Sequence, residues 1–230
     1  MGDIKQSIYM EGTQKNFKIA GRDMTLITNK QNKPESVDRR KKLVKKILIL
    51  SANPKATSRV RFDEEIREIE DGIRRSRHRD QFELKSRLAV RYKDLRRALL
   101  DNKPQIVHFI GHGDNEGLTI EDESGNPRPI SVESLSELFG LCSDHIESVI
   151  LSACYSAPQA NAVSEHIDYV IGMADKIMDD AAIEFAVGFY DALIAGESVE
   201  KAFAFGCNAI RDMYPDIPTH LIPVLKTKRG

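Results

Sequence analysis

The sequence predicts an α/β protein, a three-layer sandwich with a mostly parallel central sheet flanked by helices. Short apolar runs closed by turn residues recur at 45–50, 106–110 and 148–152, the pattern of strands buried on both faces. Between them lie stretches with apolar residues three and four apart, the spacing of one helix face. Strands that alternate with helices in this way build a layered parallel sheet.

A chain of 230 residues has room for one well-buried domain and a modest extension. With 41% hydrophobic and 30% charged residues it is not a mainly disordered chain. No apolar run approaches the roughly 20 residues that cross a bilayer, and MGDIKQSIYMEGTQ lacks the basic-then-apolar layout of a signal peptide. The expectation is a cytoplasmic protein without a membrane partner. Cys142, Cys154 and Cys207 are scattered and odd in number, so they form neither a disulfide framework nor a CxxC metal site.

Residues 1–44 are expected to form a basic polar extension, with ten Lys/Arg against five Asp/Glu. NFKIA and MTLIT within it can pair as a small hairpin or add to a sheet edge, although two strands alone are marginal in water. The run DRRKKLVKK at 38–46 reads as a solvated linker rather than a nucleic-acid surface, because aromatic stacking residues are missing beside it.

The main domain, 45–230, begins with the strand KKILIL. Phe62, Ile66, Ile69 and Ile73 then mark a helix over about 61–77. A strand follows at 82–90, and a helix at 91–101 carries Leu95, Ala98 and Leu99, with Pro104 marking its exit. Strand 106–110 runs into Gly111-His112-Gly113, and 118–130 reads as a hairpin-like excursion around Ser124-Gly125-Asn126-Pro127. Ser131 can cap the next helix, and 148–152 is a further buried strand ending at Ala153-Cys154. Helices near 157–166, 179–195 and 198–213, a strand at 169–173 and a proline-bearing edge strand at 221–225 complete the domain, with Gly196 stopping the second of those helices.

Loops converge at the C-terminal edge of such a sheet, and His112 and Cys154 both stand just beyond predicted strand ends there. A thiol with a pKa near 8.5 is mostly protonated at neutral pH, so a nucleophilic cysteine needs a base or cation beside it. Imidazole can take the thiol proton and later return one to a leaving amine. Glycines on both sides of His112 let the backbone approach a bound peptide, and the N–H groups of Gly113 and Cys154 are candidate oxyanion donors. His108 and His112 have HxxxH spacing, but the intervening residues leave a strand rather than a helix face, so no metal site is expected. Cys142 and His145 lack further ligands. No GxxxxGK[ST] or GxGxxG is present, and thiol chemistry requires no cofactor.

The segments Ile106-Val107-His108-Phe109-Ile110-Gly111-His112-Gly113 and Val149-Ile150-Leu151-Ser152-Ala153-Cys154-Tyr155-Ser156 resemble the strand-HG and strand-SAC-S signatures of the CHAT group of caspase-like peptidases. Val170-Ile171-Gly172-Met173, Asp179-Asp180-Ala181-Ala182 and Phe189-Tyr190 are similar to that group after its cysteine, so the resemblance spans about 45–225 and leaves out 1–40. It implies a caspase-like fold, cleavage of protein or peptide substrates, and base and nucleophile roles for His112 and Cys154. It also implies an effector role, with residues 1–44 available to a sensor or regulatory protein. The group often carries Trp-Pro where this chain has Ala174-Asp175, and the chain has no tryptophan. Related peptidases that cut after Arg or Lys use acidic pockets, so Asp114, Asp175, Asp179 and Asp180, with Ser152, are the expected substrate-binding residues. Acids in the first turn of a helix also serve its dipole, an alternative for Asp179 and Asp180. The competing function is a non-catalytic module that recruits partners through its front segment.

Overall fold

A computed structural model describes residues 8–10, 15–19, 22–28, 44–55, 57, 60–114 and 117–228. The chain divides into two compact units, Met1–Lys42 and Leu43–Gly230. The first holds β1 (Ile8–Met10), β2 (Lys15–Ile19) and β3 (Arg22–Thr28). β2 and β3 pair antiparallel, as the hairpin reading expected, with Phe17 opposite Met24. β1 adds in parallel on the other side of β3, making the third strand that a marginal two-stranded pair lacks. Residues 38–43, with the basic run 39–42, lie outside the described residues.

The second unit begins with β4 (Lys45–Ser51), α1 (Phe62–Arg75), β5 (Phe82–Arg87), α2 (Tyr92–Asn102) and β6 (Ile106–Ile110). A small sheet of β7 (His112–Asp114), β8 (Gly117–Glu121) and β9 (Pro127–Ile130) follows. The rest comprises α3 (Val132–Gly140), β10 (Ser148–Ser152), α4 (Ala157–Val163), β11 (Tyr169–Gly172), α5 (Asp179–Ile194), α6 (Val199–Met213) and β12 (Val224–Thr227). The main sheet has the order β12-β11-β10-β6-β4-β5, parallel except for the antiparallel edge strand β12. Among the described residues no helix is long and apolar enough to cross a membrane.

Alternation along the strands divides the core in two. Leu48, Leu50, Val107, Phe109, Val149 and Leu151 face one layer, with α2, α3 and α4 over it. Ile47, Ile49, Ile106, Ile110 and Ile150 face the other, with α1, α5 and α6. Each such side chain, fully withdrawn from water, contributes about 1.5–3 kcal/mol before the cost of ordering it. Local signals act as read from sequence: Ser131 Oγ accepts from Ser134 N at 3.2 Å, and Gly196 ends α5 at φ 98°. Two boundaries differ from the sequence reading. β5 stops at Arg87, because Ala89 takes a left-handed φ of 55° that breaks the strand. The last strand starts after Pro223, which has no N–H to give the ladder.

The expected excursion after β6 is a sheet in its own right, and it includes His112. His112 pairs with Thr119 and Gly113 with Leu118, while Leu118, Ile120 and Ile130 are buried in the first layer. The histidine therefore sits on a strand anchored to the core.

Candidate active site

β6 and β10 are parallel neighbours, and Ile110 lies opposite Ser152. His112 and Cys154 each follow that matched pair by two residues, so the strand register itself brings their backbones to one edge of the sheet. Gly111 N donates to Ser152 O at 3.1 Å and carries the pairing one residue past the strands. A Cβ on Gly113 would meet the Cys154 carbonyl oxygen at 2.3 Å. Neither Gly111 nor Gly113 has a positive φ. Gly113 is thus required for close approach of the two segments, not for an unusual turn.

The turn after the cysteine is fixed by buried hydrogen bonds. Tyr155 adopts a left-handed φ of 56°, and Ser156, fully buried, follows it. Ser156 Oγ donates to Leu151 O at 2.8 Å and accepts from Met173 N at 2.8 Å, tying the exits of β10 and β11 together. Ala157 N adds a bond to Met173 O at 2.9 Å. The half-buried Cys154 thiol lies 4.0 Å from Ile177 O. In the sequence Ser156 stands out only as part of a signature; in the fold it holds the turn that presents Cys154.

A cavity of about 110 Å³ opens between His112 and Cys154, with Ser152 also on its wall. Arg61 and Glu65 reach it from α1 and the segment before it, and Lys176 and Asp179 from the start of α5 and the segment before it. Of the expected substrate-binding residues, Ser152 and Asp179 line this cavity, and Asp114, Asp175 and Asp180 are not among the lining residues. Asp180 forms an ion pair with Arg61, which also pairs with Glu64. Asp175 accepts from Lys176 N at 2.6 Å and hydrogen-bonds the Tyr155 phenol, holding that phenol above its ordinary pKa. Asp114 is exposed at the end of β7.

Glu65 is a buried charged residue of the cavity wall that is not among the sequence-predicted site residues. It is 3% exposed, and its Oε1 lies 3.2 Å from Nε2 of His108, which is 1% exposed. That approach falls outside hydrogen-bond geometry for both atoms. His108 Nδ1 faces the Tyr190 hydroxyl at 3.3 Å, and the two rings stack. Burial, with Glu65 nearby, drives the Tyr190 phenol far above its ordinary pKa. The available signal was an acid between Phe62 and Ile66 on the apolar stripe of α1, where solvent-facing residues are not expected. The other two thiols are buried; desolvation raises the Cys142 thiol and pushes the Cys207 thiol up to about 11.

Solved structures share this architecture. A secreted C11 cysteine protease from Bacteroides thetaiotaomicron, in complex with an irreversible peptide inhibitor, superposes with a TM-score of 0.58 at 13% identity, over 80% of this chain and 66% of that one. Caspase-1 from Spodoptera frugiperda gives a TM-score of 0.54 at 9% identity, over 80% of this chain and 86% of that one. The fold is caspase-like. In sequence, a probable protease from Gillisia limnaea is 27% identical over 197 residues, which are 79% of this chain and 35% of the relative. The chain therefore spans about a third of that relative's length. The family model for the CHAT domain matches residues 10–210, beginning well ahead of the point where the sequence resemblance was placed. By that match, which covers well over half of its length, the chain belongs to the CHAT domain family.

Proposed function

We propose that this chain is a cysteine endopeptidase acting through His112 and Cys154. The observation that carries the reading is their equal offset from the Ile110–Ser152 pair, with Gly113 packed on the Cys154 backbone. His112 takes the proton from the Cys154 thiol, and the sulfur attacks the scissile carbonyl carbon. The backbone N–H groups of Gly113 and Cys154 receive the oxyanion. His112 then protonates the leaving amine, and the remaining thioester is hydrolysed by a water that gives its proton to His112. Nothing in these steps calls for a metal or an electron carrier.

The substrate in this reading is a protein or peptide, with Ser152 and Asp179 against it and Asp114, Asp175 and Asp180 at greater remove. The protease name of the Gillisia limnaea relative supports the same reading. An effector role in signalling or defence fits a unit found within longer relatives, with a sensor or regulatory protein engaging residues 1–44. The test is cleavage of a broad peptide library by the full chain and by Cys154→Ala and His112→Ala. Each variant is expected to lose roughly 10⁴-fold or more in kcat/KM. Equal, negligible cleavage by the wild type and by Cys154→Ala would falsify the peptidase reading.

A further inference from the structure

We infer that Tyr155 is a positioning residue: with Asp175 it clasps the segment 174–178 to the turn that carries Cys154, and so sets the wall on which substrate is held. The word substrate rests on the peptidase reading above, whereas the clasp rests on geometry. Residues 174–178 form neither helix nor strand, and of their side chains only that of Ile177 is buried. The sequence Ala174-Asp175-Lys176-Ile177-Met178 has no proline to restrain its backbone. Yet this segment supplies Lys176 and Ile177 to the cavity beside His112 and Cys154, and Ile177 O neighbours the thiol at 4.0 Å. Its position must therefore come from contacts with its surroundings.

Tyr155 supplies two of them. Its N–H donates to Asp175 O at 3.4 Å, and its phenol hydrogen-bonds the Asp175 carboxyl, which also accepts from Lys176 N at 2.6 Å. That carboxyl joins the phenol to the next peptide along the wall. The phenol, raised above its ordinary pKa by the same carboxyl, stays protonated and remains the donor. Tyr155 takes a left-handed φ of 56°, which a tyrosine adopts only where its surroundings impose it. The buried bonds of Ser156 fix that turn to the core, and Tyr155 carries the restraint outward to the wall. Its ring is 36% exposed, so removing the hydroxyl alone leaves the packing in place. Asp175, engaged in this way, shapes the wall and does not itself meet the substrate.

The experiment uses the full chain with Tyr155→Phe, Asp175→Ala and Asp175→Asn, the last of which keeps an acceptor for the phenol and for Lys176 N. On peptides that the wild type cleaves, Tyr155→Phe and Asp175→Ala are expected to raise KM about tenfold while kcat stays within about threefold, because the wall holds substrate and transition state alike. Asp175→Asn should stay within about threefold of the wild type in both constants. The double variant Tyr155→Phe/Asp175→Ala should lose no more than Asp175→Ala alone. Unchanged kinetics, a fall in kcat at unchanged KM, additive losses, or an effect confined to peptides of one charge overturns the inference; the last would make Asp175 a substrate contact. A second measurement needs no cleavage: amide hydrogen exchange, followed by mass spectrometry, should quicken about tenfold across 174–178 in Tyr155→Phe and in Asp175→Ala and stay unchanged across 148–152. Equal exchange in the wild type and both variants overturns the inference. Faster exchange confined to 174–178 in a chain that cleaves no peptide supports the clasp and refutes the peptidase reading alone.

Discussion

The two layers beside the main sheet are alike in size and unlike in chemistry. In the layer under α2, α3 and α4, Asn102 Nδ2 donates to Ala98 O at 2.7 Å and Ser136 Oγ to Ala162 O at 2.9 Å. In the layer under α1, α5 and α6 three acid–base groups, Glu65, His108 and Tyr190, are buried side by side. Both layers exclude water, so burial alone does not account for the difference. What separates them is the cavity, which Glu65 joins from the second layer. Titratable groups are costly inside a protein; the first layer buries the Cys142 thiol, and the Glu65, His108 and Tyr190 cluster lies in the second.

Substitutions on each side should differ accordingly. The largest effect is expected in the first layer, where Phe109→Ala removes a 2% exposed ring and should cost about 3–5 kcal/mol in denaturant unfolding. A smaller loss would mean that this layer collapses around the gap. Next comes a pH effect in the second layer. The Cys207 thiol, raised by burial, stays neutral in the folded state while the unfolded chain ionises, so stability is complete at low pH and falls as pH rises. The fall should start near the ordinary thiol value of about 8.5 and continue to about 11, for a total of roughly 3 kcal/mol. Cys207→Ala should flatten that slope in pH-dependent unfolding, and an unchanged slope would assign it to other groups. The smallest change is Tyr190→Phe, which leaves His108 Nδ1 without its hydroxyl neighbour and should cost about 1–2 kcal/mol. If it stabilises the chain instead, the polar cluster is a burden that only function retains.

Much of this was legible in the sequence because the central strands are buried on both faces. Runs such as 106–110 and 148–152 admit few other readings, and their ends locate His112 and Cys154. The features that escaped depend on pairs distant in sequence. The need for glycine at position 113 is set by the Cys154 carbonyl, and no local pattern contains that distance. β7 has only His112, Gly113 and Asp114, too short and too polar to show alternation. Glu65 does not stand out in the sequence because one acid in a charged helix is ordinary, and only the packing of α1 shows that this one is buried.

The matched offsets of His112 and Cys154 turn the pairing of β6 with β10 into a ruler for the chemistry. A slip of one residue would move one side chain past the other by about 3.3 Å and reverse which layer each strand residue faces. His108 would then enter the layer of Leu48, Val149 and Leu151, away from Glu65, and Val107 or Phe109 would face that acid in its place. The unlike layers would therefore reject the misregistered sheet, so an error in alignment would be felt as instability before it could be felt as a misplaced thiol.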